Sequence, residues 1–187
     1  MLNTIYKSSG FTLIEMMIAI AIFAITLTFG ISSYRTWVQN TQIRNAAESI
    51  QNGVQRARGE AVKCNANVAF TLGAASSWSV THVNACGDVA ASGVPAGSTL
   101  ESRSGGEGSK NVTVTTAPAG ATTITFNNLG TVATNADASA TLTEVDLTSS
   151  VASPDLRDLR VAIGLGGNAR VCDPNLDAAS TDPRRCY

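Results

Sequence analysis

Apolar positions fall into three regimes along the chain. From Phe11 to Ile31 the sequence is apolar except for Thr12, Glu15, Thr26, Thr28 and Gly30. As a helix rising about 1.5 Å per residue, this run spans roughly 31 Å, about one bilayer core. From Thr41 the pattern turns amphipathic: Ile43, Ala46, Ala47, Ile50, Val54, Ala57 and Ala61 recur at helical spacing, while Arg44, Glu48, Gln51, Gln55 and Arg58 face away. No proline precedes Pro95, so both segments predict one helix over residues 11–63, with Gly30 and Gly53 as its weak points. Two separate helices are the alternative.

Beyond Cys64 the period drops to two. Val68, Phe70 and Leu72, then Trp78 and Val80, Val112 and Val114, Ile124 and Phe126, and Leu159, Val161, Ile163 and Leu165 read as half-buried strands. Gly93 to Gly108 and Thr131 to Ala140 are rich in turn formers and read as surface loops. Gly166-Gly167-Asn168 reads as a hairpin turn leading into Ala169–Cys172. The fold class is therefore α+β: a long N-terminal helix on a mostly antiparallel β domain, residues 64–187.

Composition narrows the function. The 187 residues carry 13 Lys+Arg against 14 Asp+Glu and one histidine, His82. That balance removes bulk electrostatic attraction to nucleic acid, and one histidine leaves little for multi-histidine metal sites or histidine-based acid–base chemistry. Gly164 to Ala169 fits G-x-G-x-x-A by letter, yet Cys172-Asp173-Pro174 follows where a dinucleotide site needs a helix. Catalysis, cofactors and metals are not expected.

Glu15 is the anomaly in the apolar run. A carboxylate deep in hydrocarbon costs on the order of 2.5–3.5 kcal/mol, and no Lys or Arg lies between residues 8 and 34. Cutting after Gly10 would supply a compensating amine on Phe11. A secretory signal peptide fits poorly, because its small-residue cleavage site follows the apolar core, whereas here the small residues precede it.

The run Lys7-Ser8-Ser9-Gly10-Phe11-Thr12-Leu13-Ile14-Glu15 resembles the leader of type IV prepilins, shared by pilins and type II secretion pseudopilins. The resemblance implies a leader over residues 1–10 removed after Gly10 by a prepilin peptidase and N-methylation of Phe11. It also implies that Glu15 meets the N-terminus of a neighbouring subunit during assembly. Within that class, Ile50 to Lys63, the Val68–Leu72 segment, Trp78, Ile124 to Gly130 and Leu159 to Cys172 are similar to the GspH/FimT group of minor pilins and pseudopilins. The chain departs from that group at Cys64, where arginine is common, and at Thr131, where an Arg often follows the glycine. The implied architecture is a pilin-like helix with residues 11–33 crossing the inner membrane once and the β body in the periplasm, moving to the cell surface on assembly. The implied partners are other minor and major pilins or pseudopilins.

Cys64, Cys86, Cys172 and Cys186 read as two disulfides in a domain outside the cytoplasm; sequential pairing joins Cys64 to Cys86 and Cys172 to Cys186. The second pair would staple the tail. Five arginines lie between Asp155 and Tyr187, and Arg170, Arg184 and Arg185 are the candidates for the alternative function, DNA binding in uptake. Five aspartates share that stretch, so its net charge is zero.

Overall fold

The structure is a computed structural model that describes residues 10–87, 93–153, 155–177 and 179–186, with the side chains of 28–30 and 32 left out. The expected leader lies, apart from Gly10, outside the described residues. One helix, α1 (Leu13–Cys64), runs unbroken for 52 residues. Thr12 caps its start, and Asn65 ends it in the left-handed region at φ 50°, which asparagine tolerates because its short amide bonds locally. Among the described residues no helix is long and apolar enough to cross a membrane. The span expected over 11–33 includes residues 28–30 and 32, whose side chains lie outside the description.

Nine strands follow: β1 (Val68–Leu72), β2 (Trp78–His82), β3 (Thr99–Arg103), β4 (Val112–Ala117), β5 (Thr123–Phe126), β6 (Val132–Ala133), β7 (Glu144–Ser149), β8 (Leu159–Ile163) and β9 (Ala169–Cys172). They form two sheets, β3-β2-β1-β5-β6 and β4-β7-β8-β9. Every strand pair is antiparallel. Both sheets close on the second half of α1, which touches β1 and β2 on one side and β7, β8 and β9 on the other.

The helical stripe expected from spacing is the core. Ile43, Ala46, Ala47, Ile50, Val54, Ala57 and Ala61 have no exposed surface, and they pack with Phe70, Phe126, Leu147 and Val161. Burying each large aliphatic contributes on the order of 1.5–3 kcal/mol, while the alanines let the sheets come close to the helix. The first half of α1 has no such cover: Leu13 to Leu27 are exposed.

Gly53 is no weak point. A Cβ at this position would lie 2.7 Å from Phe70 Cε2 and 2.9 Å from Trp78 Cδ2, so the missing side chain is what admits two rings against the helix. The two rings lie 5.8 Å apart, and Trp78 Nε1–H donates to Ser49 Oγ at 2.8 Å, which satisfies the indole in the core.

Three strands, β3, β6 and β7, are not among those expected from the sequence. β3 lies inside the stretch expected as a loop, because its Thr-Leu-Glu-Ser-Arg is a sheet edge that buries no side chain fully. β6 is two residues long, too short for a period. β7 does alternate, burying Val145 and Leu147 between polar neighbours. In the other direction, Leu165 is not in a strand. β8 ends at Ile163, and Leu165 sits 85% exposed in the turn closed by Gly164 N–H donating to Asn168 O.

Gly53→Ala is expected to lower stability by about 1 kcal/mol net, overpacking of about 1–3 kcal/mol outweighing a helix-propensity gain of about 1 kcal/mol. Gly59→Ala meets nothing within 4 Å and is expected to stabilise. Thermal melts of the full chain in detergent should move in opposite directions for the two, by about 2–4 °C each.

Candidate assembly site

The N-terminal turn brings together two of the residues singled out in the sequence. Phe11 is 79% exposed. Thr12 Oγ1 accepts from Glu15 N–H at 3.3 Å, and Glu15 Oε2 accepts from Thr12 N–H at 3.4 Å. This reciprocal capping box satisfies two donors that a helix start leaves open, and it sets the carboxylate at the positive end of the helix dipole. Glu15 is therefore held four residues from Phe11 and committed to its own backbone in the single subunit. Thr12 was not among the expected site residues, although the T-x-x-E spacing was there to be read.

Below this turn the stalk is bare on all sides. Leu13, Ile18, Phe23 and Ile25 are more than half exposed, as are most of the other large apolar residues of the segment, and Tyr34 and Trp37 close it as a ring pair 5.9 Å apart. A helix apolar all round needs apolar surroundings, since no single face can bury it. Where the stalk meets the body, a half-open groove of about 830 Å³ runs along α1, with Trp37, Arg44 and Gln51 on the helix side and Leu159, Val171 and Arg184 opposite.

The four cysteines form Cys64–Cys86 and Cys172–Cys186, with Cα–Cα distances of 4.9 and 5.1 Å. The first bond ties the end of α1 to the segment after β2. Beside it Glu60 is buried, ion-paired with Lys63 Nζ at 3.2 Å, and its Oε1 lies 3.9 Å from Nε2 of the buried His82. His82 Nδ1 has no hydrogen-bond partner among the described residues. Donor atoms of Glu60, Cys64 and Cys86 lie within 4.8 Å of one another. Both sulfurs are spent in the disulfide, so thiolate ligation of a metal is closed to them.

The second disulfide stitches the tail beside β9. Asp173 N–H donates to Arg184 O at 2.7 Å, Arg170 Nη2 donates to the carbonyls of Pro183 and Arg185, and Arg184 holds Asp182 through Nη2 and Nε at 2.7 and 3.1 Å. The structure thus gathers Arg170, Arg184 and Arg185 in one place, and Arg170 and Arg184 commit part of their guanidinium groups to the tail. The guanidinium of Arg184, and then its backbone N–H, bring the Asp182 carboxyl down from 3.8 to about 2.

A helix bare and apolar in its first half, and packed along one stripe against two antiparallel sheets in its second, defines a pilin-like subunit. Residues 46–167 match the family model described as type II transport protein GspH, and residues 5–31 match the prokaryotic N-terminal methylation motif. The chain belongs to the GspH family. Two crystal structures of the type IV minor pilin FimU of Pseudomonas aeruginosa are similar to it at 18% and 19% identity, each with a TM-score of 0.44. They cover 77% and 81% of this chain and 99% of FimU. No curated protein sequence matches the chain.

Because the carboxyl of Asp182 titrates lower in the folded tail than in an unfolded one, its contribution to the tail is complete above pH of about 4 and is lost as pH falls toward 2. An NMR titration of the Asp182 side chain should give a midpoint near 2. In Arg184→Ala the midpoint should return toward 3.8.

Proposed function

We propose that the chain is a minor pilin or pseudopilin whose work is packing and not catalysis. It waits in the inner membrane with residues 11–33 in the bilayer and the body in the periplasm, and then enters a type IV pilus or a type II secretion pseudopilus to support filament assembly. A prepilin peptidase removes the leader after Gly10, and Phe11 becomes the methylated N-terminus. The observation that carries this reading is the division of α1: the same helix is fully buried at Ile43 and Ile50 and 79% exposed at Leu13. Only a setting that supplies apolar cover from outside the chain suits such a helix. Lipid does so before assembly, and neighbouring stalks do so after it.

Glu15 then has a role in both states. In the lone subunit it caps its own helix. In the filament the Phe11 amine of a neighbour neutralises it, so registers that leave the charge unpaired are penalised. The alternative, a pilus-displayed DNA receptor acting through Arg170, Arg184 and Arg185, has to draw on two guanidinium groups, those of Arg170 and Arg184, that the tail already engages. The structural role is therefore the one we favour.

Mass spectrometry of the mature chain from membranes should show an N-terminus at methylated Phe11, and Gly10→Val should retain the leader. Glu15→Ala should still be processed and inserted, yet appear in sheared filament fractions at about a tenth of the wild-type level or less, the effect of at least about 1.4 kcal/mol of lost pairing. Filament levels equal to wild type would remove the electrostatic role.

A further inference from the structure

Resting on that reading, we propose that the stalk end of the groove, between α1 and the β7–β8 loop, seats a phospholipid headgroup of the surrounding bilayer, a zwitterionic one that carries a phosphate and a primary ammonium.

Height selects a lipid. With residues 11–33 in the hydrocarbon core, the polar layer of the bilayer reaches about 5–7.5 Å further on each side. Trp37 stands four residues beyond that span and Asn40 seven, roughly 6 and 10 Å along the helix. The β7–β8 loop, which forms the opposite wall, is held at the same height. Thr36 Oγ1 and Ser153 Oγ lie 2.6 Å apart, Asn40 Nδ2 donates to Asp155 O at 3.2 Å, and Arg157 N–H donates to Asn40 Oδ1 at 2.9 Å. The half-open groove of about 830 Å³ begins at Ser33 on the helix side, so its mouth lies among the headgroups. Trp37, 63% exposed, offers there the amphipathic ring that suits this layer.

Charge selects the headgroup. The lining holds Arg44, Arg157 and Arg184 with Glu48, Asp155 and Asp173, a balance that gives a net anion no advantage. Outside the loop the arginines have partners of their own: Arg44 Nε is 3.6 Å from Glu48 Oε1, and Arg184 Nη2 is 2.7 Å from Asp182 Oδ2. On the loop, Asp155 and Arg157 are both exposed, and among the described residues neither is in an ion pair. One carboxylate and one guanidinium, two residues apart, match the ammonium and the phosphate of a single headgroup. A primary ammonium brings three N–H donors to the carboxylate, whereas a trimethylated one brings none. Because the loop is already pinned to α1, little further ordering is lost when the headgroup binds. A lipid so held fixes the height of the body above the membrane before assembly.

The test is native mass spectrometry of the full chain released from nanodiscs of equal parts phosphatidylethanolamine and phosphatidylcholine. The expected result is one retained phospholipid per chain, with phosphatidylethanolamine favoured about ten-fold. Asp155→Asn should erase that preference while keeping the backbone, since Asp155 sits at φ 58°, a conformation asparagine tolerates. Arg157→Gln should lower retention of both lipids about ten-fold. Both variants should still form the two disulfides. Equal retention of the two lipids, a preference for phosphatidylglycerol in discs that contain it, a second chain retained in place of lipid, or variants that behave as wild type would each overturn the site. Protease protection of residues 11–33 in the same discs reads the membrane role separately: a protected span with no retained lipid refutes this site and leaves that reading standing, whereas an unprotected span refutes both.

Discussion

A single helix has to satisfy two incompatible surroundings, and the rest of the molecule is arranged around that constraint. Over its first half α1 offers apolar side chains in every direction, so nothing short of an apolar medium or several neighbouring helices can cover it. Over its second half it offers one stripe of Ile, Val and Ala, and strands of both sheets pack on that stripe. Small residues make the second arrangement possible. At Ala46, Ala47, Ala57 and Ala61 the sheets approach without bulky side chains between them, and at Gly53 two rings lie against the helix itself.

The same logic explains where the covalent and polar ties are placed. Neither end of the body can rely on the stripe alone. Cys64–Cys86 fastens the last turn of α1 to the segment after β2, and Cys172–Cys186 fastens the tail beside β9. Arg58 ties the helix to the β5–β6 turn, while Gln51 donates to Ala169 O at the start of β9. Each tie joins the helix or a neighbouring strand to a segment distant in sequence. The arginines of the tail belong to this scheme, since Arg170 and Arg184 make their hydrogen bonds within the tail.

Burial also separates sealed polar groups from open ones. Glu60 and His82 are sealed beneath the first disulfide, where Lys63 neutralises the carboxylate. Glu15, by contrast, lies at the open start of the helix, where its carboxylate accepts from the Thr12 N–H. A carboxylate in that position stabilises the helix through the dipole and remains exchangeable, because a full positive charge is a stronger partner than one amide hydrogen.

Local repetition made much of this legible in the residues themselves. Side-chain spacing reports which face of an element is apolar, so the long helix, its buried stripe and the strands β1, β2, β4, β5 and β8 could be read directly. The T-x-x-E cap was equally readable. What the chain alone could not disclose depends on residues far apart in sequence. β3 and β6 owe their existence to backbone ladders with neighbours, so their own side chains carry no periodic mark. The division into two sheets and the close packing at Gly53 are likewise settled only when distant segments compete for the same space around one helix.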